Sequence, residues 1–325
     1  MSLSYSDCFS DLLCGEDSGI LAGDFPEYSP DLEFPAYIEE SIAGFIEDEG
    51  NYVPGYDYPS RFQSQSLDAS AREESVAWIL KVHAFYCFQP LTAYLSVNYM
   101  DRFLFSSRLP QTNGWPLQLL SVACLSLAAK MEEPLVPTLV DLQVEGAKFI
   151  FEPRTIRRME LLVLTALDWR LRSVTPFNFI GFFAYKLDST GNFIGYLISR
   201  ATQIILAIVR ETSFLDYWPS SVAAAAILYA ASEIPNLSLV NPGNAVSWCE
   251  GLSKERIVSC YQLMHEVVIV NSQGKPPKVL PQLRVMTPAG LGSGESSSSS
   301  LSSSNKRRKL NNCLWVDDDK DTTFD

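Results

Sequence analysis

Apolar and polar positions along this chain alternate with a helical period, and in two places the polar positions disappear. Between Leu117 and Ala129 there is no charge: Leu119, Leu120, Val122, Leu125 and Leu127 interleave with Ser121, Ala123, Cys124, Ser126 and Ala128. A helix apolar on every side cannot face water, so this segment is predicted to be a central helix enclosed by others, its small residues letting them come close. Pro116 suits the first turn, where a missing N–H costs nothing. Lys130, Glu132 and Glu133 crowd the far end, where a lysine suits the helix C-terminus and by default merely snorkels to solvent.

The stretch Trp218 to Glu233 repeats the pattern 103 residues later, opening again with Trp-Pro and placing Ala231 opposite Ala128. We read an internal duplication, two helical units of about a hundred residues each built round one buried helix. Only the first copy ends in a lysine.

The remaining periodicity fills in both units. Ile38, Ile42, Phe45 and Ile46 predict an amphipathic helix over Tyr37 to Glu49, after which Pro54, Gly55 and Pro59 break the chain. The first unit, 61–172, has a helix from about Ser70 through Val76, Ile79 and His83. A second opens at Pro90 and a third is the buried helix. A short fourth is capped by Pro137-Thr138, and a fifth from Pro153 carries Ile156, Met159, Val163 and Leu167 on one stripe. The second unit, 173–274, starts at Thr175-Pro176. It continues with a helix from Phe193 to Val209, the repeat helix, a short helix near Ala245 and a last one from Ser253 to Val270. The expected fold is all-α: two tandem five-helix units between an unstructured arm (1–36, followed by the helix and linker 37–60) and an unstructured tail (275–325).

Charge sharpens this division. The net charge is −13, yet residues 1–70 hold fifteen Asp and Glu against the single base Arg61, which leaves the remainder at +1. A near-neutral body has no broad basic face for a phosphate backbone, so direct nucleic-acid binding is not expected. Seven scattered cysteines without a CxxC, and two histidines, fit neither a zinc site nor a disulfide framework, and no cofactor is expected. The N-terminus lacks the pattern of a signal peptide, and the longest apolar run, Val222 to Ala231, is about half a bilayer span. No membrane partner is expected.

Several separated motifs then agree in order. Arg72 opens the first helix and Asn98-Tyr99-Met100-Asp101-Arg102-Phe103-Leu104 ends the second. Ala129-Lys130-Met131-Glu132-Glu133 ends the third, and Met159-Glu160-Leu161-Leu162-Val163-Leu164 lies in the fifth. Over roughly residues 60–270 the chain resembles the cyclins, and with the arm it looks like a D-type cyclin of the plant kind. The resemblance implies that Lys130 and Glu160 lie side by side and grip the activation helix of a cyclin-dependent kinase, with Met131, Leu164 and Trp169 as apolar contacts. It implies that Arg72 and Asp101 form a buried bridge between the first two helices. Trp78 matches the tryptophan of the family's substrate-docking patch, although Ala71 and Ser75 stand where larger apolar residues are usual.

The arm contains Leu12-Leu13-Cys14-Gly15-Glu16, an LxCxE sequence. In extended chain Leu12, Cys14 and Glu16 point to one side and can enter one groove, and the resemblance implies a retinoblastoma-related pocket protein as the partner. Lys306, Arg307, Arg308 and Lys309 in the tail resemble a nuclear import signal, giving a nuclear location with a cytoplasmic pool. Ser29-Pro30 and Thr287-Pro288 are candidate sites of proline-directed phosphorylation. The chain has no phosphate-binding Gly-rich loop and no kinase catalytic motif. The expectation is therefore a non-enzymatic subunit that activates a cyclin-dependent kinase and recruits pocket proteins at the G1/S transition, with kinase-inhibitor proteins as further partners. The competing expectation is a scaffold like transcription factor IIB, also a two-repeat helical body, which binds DNA and polymerase.

Overall fold

The structure is a computed structural model that describes residues 36–110, 114–143, 147–235, 237 and 241–273. The LxCxE motif, Ser29, Thr287 and the basic cluster 306–309 lie outside the described residues. Among those described there is no strand, and no helix long and apolar enough to cross a membrane.

Among the described residues ten α-helices follow in order: α1 Ala36–Asp48, α2 Tyr58–Gln63, α3 Ala69–Tyr86, α4 Pro90–Ser106, α5 Trp115–Glu132, α6 Pro153–Ala166, α7 Phe177–Leu187, α8 Ile194–Ile208, α9 Pro219–Ser232 and α10 Lys254–Gln273. α5 and α9 are the two buried helices. Leu119 to Ala129 and Pro219 to Ala231 are buried without interruption. α3, α4 and α6 pack round α5, and α7, α8 and α10 round α9. The starts follow local chemistry. Asp68 accepts from the Ser70 and Ala71 N–H groups and caps α3, which begins at Ala69, next to Ser70. Proline occupies the first turn of α4, α5, α6 and α9. Gly114, which precedes Trp115, has φ +74°, a conformation that L side chains rarely adopt.

The short fourth helix of each unit is a 3-10 helix. In the first, Thr138 Oγ1 bonds to Asp141 Oδ2 and closes a turn. The buried Gln143 side chain then donates to Leu139 O and Phe151 O and accepts from Phe151 N, satisfying backbone groups that a longer helix would have paired itself. In the second, Pro242–Trp248 is a 3-10 helix capped by Asn241. At Thr175-Pro176 the expected cap is reversed: Asn178 Oδ1 accepts from both the N–H and the hydroxyl of Thr175. α2, unforeseen among the prolines, is a single short helix with Pro59 in its first turn.

α1 docks on the second unit. Phe45 meets Phe179 edge-on at 6.2 Å, Ile42 and Ile46 are buried, and Glu39 pairs with Lys186. The fully buried Glu49 that follows α1 accepts from Ser220 N and Ser220 Oγ, both at 2.7 Å, and so caps α9. Burial pushes its carboxyl above the usual glutamate value, and the two Ser220 bonds oppose that shift.

The units are joined by a buried arginine. Arg72 Nε and Nη2 reach the two oxygens of Asp101, each at 2.8 Å, and its remaining donors reach Arg210 O and Val209 O at the end of α8. Tyr58 Oη donates to Asp101 at 2.8 Å, and burial first, then Asp101, drives that phenol upward. Every charge in this group has a partner, the condition under which a buried pair is tolerated.

Candidate functional site at the end of the first buried helix

α5 leaves the core at Lys130, which is the first exposed residue after Ala129. The helix packs beside α6, so Glu160 comes within reach, and Lys130 Nζ meets both carboxylate oxygens at 2.6 and 2.8 Å. The two partners differ in exposure, 45% for the lysine side chain and 9% for the glutamate. The glutamate is thus a fixed anchor and the ammonium group faces out. An ammonium has three hydrogens; the third has no acceptor among the described residues.

Exposed apolar side chains are concentrated in the segments that carry this pair. Of the twelve exposed large apolar residues among those described, Met131, Leu135, Val136, Val140, Leu161, Leu162 and Trp169 all come from the end of α5, the loop after it, and α6 with its C-terminal turn. Leu164 is half-buried against the core. Trp169 is 67% exposed, and its presentation is fixed by an uncommon backbone: Asp168 and Trp169 have φ of 51° and 60°, while Trp169 N donates to Leu164 O at 2.9 Å. Successive left-handed non-glycine residues carry strain, which collects at functional sites. Beyond the pair, Glu133 accepts from Gln89 N and Thr92 Oγ1 and so ties the start of α4 to the same rim. Exposed apolar residues grouped in sequence beside an anchored charge make this region a candidate protein-binding surface.

The residues singled out from the sequence fall into separate places. Lys130, Glu160, Met131, Leu164 and Trp169 belong to this one rim. Arg72 and Asp101 lie in the buried network between the units. Trp78 is half-buried against the first core, Ser75 is buried with its hydroxyl on Ala71 O, and Ala71 borders a groove of about 780 Å³ walled by Phe62, Leu67, Phe105 and Leu117. Sequence reasoning missed Leu135, Val136, Leu161 and Leu162. The signal was present for the last two, since both fall off the buried stripe of Ile156, Met159, Val163 and Leu167 and so had to point outward. Tyr58 carried no comparable signal.

Two domain profiles match this chain in tandem, "Cyclin, N-terminal domain" over residues 40–172 and "Cyclin, C-terminal domain" over 174–284. The chain belongs to the cyclin family, whose members are regulatory subunits of cyclin-dependent kinases. Its relatives there are the D-type cyclins of plants. It is 60% identical over 328 residues to Cyclin-D1-1 of Arabidopsis thaliana, covering 99% of this chain and 96% of the relative. It is 57% identical over 237 residues to Cyclin-D2-1 of Oryza sativa subsp. japonica, 73% of each. A viral cyclin from herpesvirus saimiri superposes with a TM-score of 0.53 at 16% identity, over 62% of this chain and 86% of that one, a likeness of fold alone.

Proposed function

We propose that this chain activates a cyclin-dependent kinase by holding the kinase's activation helix against the Lys130–Glu160 rim. The observation that carries the reading is the asymmetric pair itself, a buried glutamate fixing a half-exposed lysine whose third hydrogen is free to meet a main-chain carbonyl of the partner. Met131, Leu164 and Trp169, with Leu161, supply apolar area around it. Kinase activation helices are bistable, and a partner that binds one position selects it. The reading continues into the arm, where Leu12, Cys14 and Glu16 bring a retinoblastoma-related pocket protein to the bound kinase. Its phosphorylation then drives the G1/S transition, in a nucleus reached through Lys306 to Lys309. Kinase-inhibitor proteins acting on the assembled pair complete the set of partners.

The test is a pull-down from proliferating cells with the wild-type chain, a Lys130→Ala/Glu160→Ala variant and a Cys14→Ala/Glu16→Ala variant, read separately for kinase and pocket protein. The first variant is expected to lose the kinase and the second only the pocket protein. Kinase capture by a folded Lys130→Ala/Glu160→Ala chain at the wild-type level overturns the assignment of this rim.

A further inference from the structure

The outer face of α6 carries charges in places that a free helix disfavours. Arg154 lies in its first turn, with Arg157 and Arg158 in the next. The positive pole of the helix dipole is there, and cations are unfavourable beside it. Arg154 also stands three and four residues from the other two, spacings at which like charges repel. All three are exposed. None belongs to an ion pair among the described residues. The single acid within α6, Glu160, is already taken by Lys130. Glu152 at the N-cap sets one acid against these three bases, and the positive charge left over on the exposed face marks a place where a partner outside the molecule can balance it.

Position on the helix says from where. Steps of three, four and three residues carry Arg154, Arg157, Leu161 and Leu164 along one stripe, with Arg158 flanking it. The basic half of the stripe therefore runs without a break into the apolar half, where Leu161 is 55% exposed and Glu160 sits alongside. The second unit sharpens the point. Its last helix, α10, opens with Lys254-Glu255-Arg256, a mixed set, and Arg256 lies over the Trp218 ring at 4.5 Å while Glu255 accepts from Ser253. An excess of arginines without ion pairs among the described residues occurs on this helix in the copy whose buried helix ends in an open lysine.

We propose that Arg154, Arg157 and Arg158 form the electrostatic half of the kinase interface and receive an acidic segment of the kinase beside the activation helix. This rests on the kinase reading of the Lys130–Glu160 rim. Guanidinium forks match carboxylates with two parallel bonds each. Exposed charges at the edge of an interface act mainly on the rate of encounter and on the choice of partner.

Association of the full chain with a panel of purified cyclin-dependent kinases, at low and high ionic strength, tests this. The variants are Arg154→Gln/Arg157→Gln/Arg158→Gln and Lys130→Ala/Glu160→Ala. The glutamine variant is expected to associate about tenfold more slowly than wild type at low salt and to converge on it at high salt. It should unfold no more readily than wild type, because it sheds charges that the helix disfavours. Wild-type rates and salt dependence in the glutamine variant, with binding lost in Lys130→Ala/Glu160→Ala, overturn the arginine assignment and leave the rim. The reverse, full binding by the Lys130→Ala/Glu160→Ala chain with slowed association in the glutamine variant, overturns the rim and keeps the arginines. A wild-type chain that binds no kinase in the panel overturns both.

Discussion

The two buried helices are alike in body and opposite at their ends. α5 and α9 both start with Trp-Pro, both are sealed by three neighbouring helices, and the residues where they leave the core, Lys130 and Glu233, lie 103 apart. In the first unit the lysine is held by one buried glutamate and keeps a hydrogen to offer. In the second, Glu233 accepts from Arg200 Nε at 2.8 Å, Arg200 Nη2 at 2.6 Å and Tyr196 Oη at 2.8 Å, so both its oxygens are engaged within its own unit. One end is open and the other closed. The duplication thus supplies the scaffold twice, while the chemistry at its two ends differs, and the proposed interface lies at the open one.

The largest expected effect lies between the two units, where the comparison assumes that both scaffolds stay joined. Asp101→Ala leaves Arg72 buried without its carboxylate and Tyr58 without its acceptor, and urea unfolding should show a loss of about 3–5 kcal/mol. A loss below about 1 kcal/mol would mean that the units hold together without the bridge. Next comes the dry body of the second helix, where Ala225 is fully buried. Ala225→Leu should cost about 1–3 kcal/mol by overpacking, read as a lowered thermal midpoint. An unchanged midpoint would deny that α9 is enclosed on all sides.

Smaller effects separate the open end from the closed one. Lys130→Ala alone should cost about 1 kcal/mol, because Glu160 keeps its burial and loses its partner. Adding Glu160→Gln should recover part of that cost, and a double variant less stable than the single would show that the glutamate has other work in the core. At the closed end, the bonds from Arg200, with Tyr196 assisting, hold the Glu233 carboxyl below its ordinary value. A depressed folded value means a contribution present above the unfolded glutamate value and lost as pH falls through the depressed one. Both side chains are about 30% exposed, which keeps the effect under about 1 kcal/mol at neutral pH. Glu233→Gln should therefore differ slightly from wild type at pH 7 and not at all in strong acid. A difference that grows on acidification would reverse the assignment.

Much of the candidate site was legible without coordinates. An uncharged body followed at once by Lys130 marks where a helix emerges, and the stripe of Ile156, Met159, Val163 and Leu167 orients α6 with Leu161 and the three arginines outward. The exposure of Trp169 was not legible, since it depends on two left-handed residues that only the packed end of α6 holds in place. The fourth elements were legible only as short helices, because the sequence alone does not reveal that the Gln143 side chain takes over hydrogen bonds of the loop.

The sequence by itself determined the helical class, the duplication, the buried helices and the segregation of acid into the arm, because each follows from periodicity or composition within a few turns of chain. Tertiary structure alone decided that Glu49 caps a helix 171 residues away, that Arg72 reaches across to the carbonyls of Val209 and Arg210, and that Tyr58 completes the same network. Those are pairings of single polar groups over long separations. A buried polar group must find a partner, but which partner it finds is set by the packing of the helices around it.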